Sequence, residues 1–165
     1  MVRRGITSLS AKTSLFKLSE EIGQHLSRLN WRIGTAESCT GGLVAAAITE
    51  VPGSSLWFEE GVVTYANSSK QRLLGVSQAA LSGYGAVSAQ VVEAMANGVL
   101  LNGAEVSVAT SGIAGPGGGT AEKPVGTVWM AWGLNGEVET EEVCFGGDRP
   151  AIPDAAREYI FPPLL

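Results

Sequence analysis

The sequence predicts an α/β fold, a three-layer α/β/α sandwich around a mixed, mainly parallel sheet of about five strands. Over the first two thirds of the chain, short β-rich segments alternate with helical segments, which is typical of parallel strands joined by helices. The last third contains Asn135-Gly136 between two β-rich runs, a strong hairpin signal that adds an antiparallel strand. The length of 165 residues and the hydrophobic content of 45% suit one domain.

The first third of the chain predicts a helix, then a strand, a glycine turn and a second helix. Large apolar residues recur at three- and four-residue steps over residues 14–30, which indicates an amphipathic helix. Residues 31–37 form a predicted strand that ends in Ser38-Cys39-Thr40-Gly41-Gly42, and a helix follows over 43–48. The remaining predicted elements are a strand over 58–66, a short helix through 70–74, a helix over 89–101, a strand over 106–110, a glycine loop over 111–124, hairpin strands over 126–134 and 137–145, and a helix over 151–160.

Charge and composition exclude several classes of partner and site. The net charge of −5 would repel a polyanionic backbone, so no nucleic-acid partner is expected. Basic residues without acids begin the chain, so we expect residues 1–14 to be a flexible basic extension of a single domain over 15–165. There is no apolar run of about 18 residues and no secretory signal, which predicts a cytoplasmic protein with no membrane partner. Two cysteines and one histidine are too few for a metal cage, and His25 lies in a helical pattern, which disfavours a Ser-His-Asp triad.

Ser38 lies where a predicted strand turns into a helix, a place that suits nucleophilic chemistry. The main-chain N–H groups of Thr40, Gly41 and Gly42 are expected to be free there and to hold a developing oxyanion. Alternatively, Ser38 or Thr40 is only a helix N-cap; two glycines favour the functional interpretation because each lowers helix propensity by about 1 kcal/mol. Cys39 is a competing nucleophile, which we expect to face the core as a small buried residue.

The loops over 65–70 and 110–120 also follow strands, and they should meet the Ser38 loop over 37–42 at the carboxyl ends of the sheet. Lys70, if partly desolvated, could serve as a neutral base for Ser38, with Tyr65 nearby; the alternative is a solvated lysine at a helix start. The Gly-rich loop after Ser111 could hold a phosphate or ribose, or be merely flexible. Arg149 could bind a phosphate, or belong to a surface Asp-Arg turn. No dinucleotide-binding glycine motif follows the first strand, which disfavours an oxidoreductase.

Several segments rich in glycine and hydroxyl residues occur in one order along the chain. They are Thr35-Ala36-Glu37-Ser38-Cys39-Thr40-Gly41-Gly42, Val51-Pro52-Gly53-Ser54-Ser55, Gly61-Val62-Val63-Thr64-Tyr65-Ala66-Asn67, Gly85-Ala86-Val87-Ser88, Ser111-Gly112-Ile113-Ala114-Gly115-Pro116-Gly117-Gly118 and Lys123-Pro124-Val125-Gly126-Thr127-Val128. In this combination they resemble the CinA C-terminal domain family, and the likeness covers about residues 15–160.

The resemblance implies a cytoplasmic hydrolase, because the family includes amidases that convert nicotinamide mononucleotide and water to nicotinic acid mononucleotide and ammonia. It implies a small-molecule nucleotide substrate, no cofactor and a homo-oligomer, a dimer or larger. It makes Ser38 the nucleophile, Lys70 the base and Tyr65 a proton relay or orienting group; a water held by Ser38 is the other possible attacking group. The implied substrate contacts are Thr40, Gly41, Gly42, Asn67, Ser111, Gly112, Gly115 and Arg149.

The chain departs from the family pattern near its end. Pro153 stands where a second arginine is common in the family, and we expect it to delay or break the last helix and to weaken phosphate binding. The apolar tail over 161–165 is expected to dock on a partner subunit. Two other functions stay open: a non-catalytic nucleotide-binding module with a role in competence or DNA damage, and a hydrolase that uses Cys39.

Overall fold

The computed structural model of the protein describes residues 11–165. The elements, in chain order, are α1 (Ala11–Leu29), β1 (Ile33–Glu37), α2 (Leu43–Thr49), β2 (Phe58–Val63), α3 (Asn67–Leu74), α4 (Gln78–Tyr84), α5 (Ala89–Leu101), β3 (Val106–Gly112), β4 (Thr127–Leu134), β5 (Glu137–Cys144) and α6 (Ala151–Ile160). Most of the expected basic extension over 1–14 lies outside the described residues. Helix α1 already begins at Ala11, earlier than the sequence predicts.

One five-stranded sheet has the order β2-β1-β3-β4-β5. Strand β1 pairs in parallel with β2 and β3, whereas β4 is antiparallel to both β3 and β5. The prediction of a mainly parallel sheet with one antiparallel member is therefore confirmed. Glu37, the last residue of β1, lies beside Val63 of β2 and Thr110 of β3, so the carboxyl ends of three parallel strands meet at one edge.

Helices cover both faces of the sheet, which confirms the three-layer arrangement. Helices α1, α2 and α6 share one hydrophobic core with β1 and β3, and α3, α4 and α5 share the other. The first core includes Ile22, Ile48, Val108, Ile152 and Phe161, and the second includes Leu74, Leu81, Val92, Met95 and Ala109. None of the helices within residues 11–165 is long and apolar enough to cross a membrane.

Helix α4 is an element that the sequence pattern did not predict. Its seven residues include Gly83 and lack a long apolar stripe, so periodicity gives no helical signal. Ser77 starts the helix as its N-cap, and its side-chain oxygen accepts the Ala80 N–H at 3.0 Å. Short helices of this kind form because of such caps and of packing, here through the buried Leu81.

The chain end differs from two expectations. Pro153 neither delays nor breaks the last helix, since α6 spans Ala151–Ile160 with Pro153 in its first turn. A proline is tolerated there because the first N–H groups of a helix have no acceptor within the helix. In the tail, Phe161 is fully buried in the core of its own chain, so this residue is not a partner contact.

Candidate active site

Ser38 and Lys70 meet at the carboxyl edge of the sheet. Ser38 directly follows β1, where its N–H donates to Thr110 O at 3.0 Å and extends the parallel ladder by one residue. Lys70 projects from the first turns of α3 and places its Nζ 3.0 Å from Ser38 Oγ. Ser38 is 8% exposed and Lys70 only 1%. The two residues that the sequence singled out thus form a buried hydroxyl–amine pair.

The surroundings of Lys70 are main-chain carbonyls rather than carboxylates. Its Nζ donates to Thr64 O at 2.7 Å and to Tyr65 O at 3.3 Å, and it forms no ion pair within residues 11–165. Burial lowers the pKa of Lys70 from its ordinary value. The alternative of a solvated lysine is therefore wrong.

The carboxylate of Glu37 lies at the opposite side of the same turn, and sequence reasoning missed its role. It accepts the N–H groups of Gly42 at 2.9 Å, Val44 at 3.1 Å and Ala45 at 2.8 Å. Glu37 is 1% exposed and caps α2, whose own N-cap residue, Gly42, offers no side-chain bond. The available signal was an acid at a strand end, a few residues before a helix without a capping side chain.

The donors expected to hold an oxyanion are mostly occupied, which corrects the expectation for two of the three. Gly41 N–H donates to Ser38 O at 3.1 Å, and Gly42 N–H is held by Glu37. Thr40 N–H donates to none of the described residues. Gly41 and Gly42 have φ of 59° and 102°, so their backbone conformation explains the glycine pair. The N-cap is Gly42, so Ser38 and Thr40 are not helix caps.

Most of the other expected substrate contacts lie around the pair, some of them already hydrogen-bonded within the protein. Thr40 Oγ1 lies 2.7 Å from Thr110 Oγ1, and Ser111 Oγ donates to Ala86 O at 2.7 Å. Asn67 is exposed at the first residue of α3, and Gly112 ends β3. Ser111 lies on the same face of β3 as Ser38 does of β1, because Glu37 is paired with Thr110.

Arg149 joins the glycine loop to the end of β2. Its Nη1 donates to Gly115 O, and its Nη2 donates to the Tyr65 hydroxyl at 2.9 Å. Arg149 is exposed and so is Tyr65, at 60%. Only the main-chain carbonyl of Tyr65 contacts Lys70, and its hydroxyl points to Arg149 instead. The loop ends expected to converge are therefore brought together through these contacts.

Lys123 is a second feature that sequence reasoning missed. Its Nζ donates to Tyr84 O at 3.2 Å and to Val87 O at 2.7 Å, which ties the glycine loop to the segment before α5. Together with the bond from Ser111 to Ala86 O, this fixes the motif over 85–88 beside the site. A lysine inside a glycine-rich loop was the available signal.

Cys39 faces the core, as predicted. Its side chain is 8% exposed, and burial raises the pKa of its thiol to about 12. A thiol held protonated in this way is a poor nucleophile, so a hydrolase that uses Cys39 is disfavoured. His25, the other residue considered for catalysis, is exposed on α1.

Comparisons with known proteins agree with the fold and with the motifs. The family model of the CinA C-terminal domain matches residues 15–164. Nicotinamide-nucleotide amidohydrolase PncC of Enterobacter agglomerans is 57% identical over 140 residues, 84% of this chain and 85% of that protein. A CinA-like protein of Akkermansia muciniphila is 55% identical over 137 residues, 82% of this chain but 33% of that protein. The crystal structure of competence/damage inducible protein CihA from Agrobacterium tumefaciens gives a TM-score of 0.89 at 40% identity, covering 98% of this chain and 97% of that one. This chain therefore belongs to the CinA C-terminal domain family.

Proposed function

We propose that this protein is a nicotinamide-nucleotide amidase, which hydrolyses the carboxamide of nicotinamide mononucleotide to nicotinic acid mononucleotide and ammonia. Ser38 is the nucleophile and Lys70 the general base. The observation that carries the proposal is the 3.0 Å distance between Lys70 Nζ and Ser38 Oγ in a buried position. The name of the relative from Enterobacter agglomerans supports the substrate.

The hydrogen bonds of Lys70 suit a neutral amine. A neutral amine has two hydrogens and one lone pair, and two of its three neighbours, the carbonyls of Thr64 and Tyr65, can only accept hydrogen bonds. The two hydrogens therefore go to the carbonyls and the lone pair is left for Ser38. Since burial lowers the pKa of Lys70, the neutral form is more populated than in water.

The reaction follows from this arrangement. Ser38 Oγ attacks the carboxamide carbon as its proton passes to Lys70 Nζ, and the Thr40 N–H supports the oxyanion. The C–N bond then breaks, Lys70 returns the proton to the leaving nitrogen, and ammonia departs from an ester on Ser38. Water attacks that ester and gives one proton to Lys70. The proton returns to Ser38 Oγ as the carboxylic acid is released and ionises.

The substrate phosphate binds at Arg149 rather than at the start of α2. The N–H groups of that helix start are filled by the Glu37 carboxylate, which would also repel a phosphate. Arg149 has five N–H donors, of which two are used by Gly115 O and the Tyr65 hydroxyl. The others are available to an anion, and Tyr65 orients the guanidinium.

The remaining proposed contacts concern the ribose and the amide. Thr40, Ser111 and Asn67 supply hydroxyl and amide groups at the strand ends. The main chain at Gly112 and Gly115 lines the loop side of the same edge. Gly41, which is exposed, and Gly42, which is partly buried, shape the turn that presents Ser38, and they contact the substrate through their main chain.

The test is ammonia release from nicotinamide mononucleotide by the purified protein. We expect stoichiometric nicotinic acid mononucleotide, with activity abolished in Ser38→Ala and lowered about 10³-fold in Lys70→Met. Exposed residues of the same types on α1 provide the matched controls, Ser27→Ala and Lys17→Met, which should retain wild-type activity. Unchanged turnover in Ser38→Ala would remove the nucleophile. Binding of the nucleotide by calorimetry without any ammonia would favour the non-catalytic module instead.

A further inference from the structure

We infer that Glu37 is a positioning residue of this site, whose carboxylate fixes the Ser38 turn by bonding the first main-chain N–H groups of α2. Glu37 does not face the reacting atoms. Successive residues of a strand point to opposite faces, so Glu37 points to α2 while Ser38 points to Lys70 on α3. The kinetic assay of this inference rests on the proposed amidase function. The geometry from which it is argued is independent of that function.

The carboxylate of Glu37 is held entirely by main-chain donors. It is 1% exposed, and no basic side chain of the described part of the chain pairs with it. Burying a charge without compensating bonds is costly, so the three N–H groups at 2.8 to 3.1 Å must stabilise it. Such an arrangement needs an acceptor with two oxygens, which Glu37 supplies to Gly42, Val44 and Ala45.

The three hydrogen bonds of Glu37 constrain the turn that carries Ser38. Glu37 precedes Ser38 and also binds the residues that follow the turn, so a single side chain fixes both ends of the segment 38–42. Apart from the contact of its Oγ with Lys70 Nζ, Ser38 is held by its own main chain, whose N–H donates to Thr110 O at 3.0 Å and whose carbonyl accepts the Gly41 N–H at 3.1 Å. Loss of the carboxylate would leave the β1 side fixed but release the α2 side of the turn.

Small displacements of this turn matter because the proton transfer needs a short distance. Ser38 Oγ and Lys70 Nζ belong to different elements and lie 3.0 Å apart. A misplacement of about 1 Å can cost about 10²-fold in rate without weakening substrate binding. Arg149, which we propose binds the phosphate, belongs to another loop and does not contact Glu37. A positioning role therefore predicts a loss in kcat rather than a rise in KM.

The variant Glu37→Gln tests the inference, since it keeps the shape and removes one acceptor oxygen. We expect kcat per folded molecule to fall by about tenfold to a hundredfold, with KM changed less than about twofold. In the proposed mechanism, kcat/KM rises with pH as Lys70 loses its proton, which gives the pH profile an acid limb. The midpoint of this limb should be the same in Glu37→Gln as in the wild type, because the Glu37 carboxylate bonds the start of α2 and does not pair with Lys70. Ser77→Ala is the control: it also removes a helix-capping acceptor, and it should lower the Tm but leave kcat unchanged.

The rate of covalent modification of Ser38, measured without the nucleotide, separates this inference from the proposed function. Phenylmethylsulfonyl fluoride reacts with an activated serine, and intact mass reports the rate of adduct formation on Ser38, with Ser38→Ala as the site control. We expect Glu37→Gln to slow this reaction as it slows turnover. If the wild-type protein releases no ammonia but forms the adduct faster than Glu37→Gln does, the proposed amidase function is wrong and the positioning role of Glu37 is supported. Absence of both the adduct and ammonia in the wild type overturns both.

The inference is overturned if Glu37→Gln keeps wild-type kcat and adduct rate per folded molecule. It is also overturned if the acid limb moves, since Glu37 would then act on Lys70 through its charge, or if KM rises as much as kcat falls. Should Glu37→Gln not fold, Glu37→Asp decides. It keeps the charge on a side chain one methylene shorter, and we expect a folded protein with kcat lowered about tenfold. Wild-type kcat in Glu37→Asp would contradict the role.

Discussion

Gly98 lies on α5 where this helix packs against the end of α3, and its replacement by alanine would disturb Lys70 without touching it. A Cβ at position 98 would lie 2.5 Å from Leu74 O and 2.8 Å from Leu74 Cα. Ordinary contact begins near 3.4 Å, so the end of α3 must move by about 0.9 Å, the difference between 3.4 and 2.5 Å. Leu74 lies one helical turn after Lys70, and the Lys70 carbonyl accepts the N–H of Gly75, the residue after Leu74. A shift of Leu74 is therefore transmitted to Lys70.

The size of this shift sets the expected effect of Gly98→Ala. It approaches the 1 Å misplacement that costs about 10²-fold in rate, and overpacking of this kind destabilises by about 1–3 kcal/mol. Part of the shift will be absorbed elsewhere, so we expect kcat to fall about tenfold or more. KM should change little, since Arg149 is not involved.

The assay is ammonia release per folded molecule, measured beside thermal unfolding. Gly83→Ala is the matched control, because Gly83 lies in the neighbouring helix α4 with nothing within 4 Å of an added Cβ. It should keep wild-type kcat and gain up to about 1 kcal/mol of stability from helix propensity. Equal kcat values in the two variants would refute the idea that packing at Gly98 sets the position of Lys70.

Three further predictions concern the residues around the pair. Arg149→Ala should raise KM for nicotinamide mononucleotide about tenfold to a hundredfold but leave the KM for the phosphate-free riboside unchanged; an equal rise for both substrates would contradict phosphate binding there. Tyr65→Phe loses its bond to Arg149, so it should raise KM a few-fold with kcat retained, whereas a collapse of kcat would restore Tyr65 as a proton relay. Iodoacetamide should label the exposed Cys144 in the native protein and leave the buried Cys39 unmodified, and Cys39→Ala should stay active; peptide mass mapping and turnover decide both.

The sequence was sufficient to predict the sheet and the central pair. Alternating β-rich and helical segments identified the parallel strands, and the rule that sites lie beyond strand carboxyl ends placed Ser38 and Lys70 together. Their contact follows because β1 and β2 are neighbours, so residues that follow each strand meet at one edge. Asn135-Gly136 likewise gave the β4–β5 hairpin, with Asn135 at φ 52° and Gly136 at φ 86°.

Interactions between elements were beyond the reach of sequence patterns. Glu37 bonds residues five to eight positions later across a turn, and no local motif encodes that arrangement. The glycines at 41 and 42 were interpreted as room for a ligand, but they satisfy a left-handed backbone. Pro153 was expected to delay or break α6, but in a helix that starts at Ala151 it lies in the first turn, where a missing N–H costs no hydrogen bond within the helix.

The pH dependence of kcat/KM, measured for the wild type and for Lys70→Met, tests the proposed Ser38–Lys70 chemistry most directly. Burial lowers the pKa of Lys70 below its ordinary value of 10.5, and in the proposed mechanism the neutral amine is the active form. Activity should therefore rise with pH along an acid limb whose midpoint lies below 10.5. Lys70→Met should lose this limb together with about 10³-fold of the rate. Activity of Lys70→Met within about tenfold of the wild type, with the same limb, would contradict Lys70 as the base.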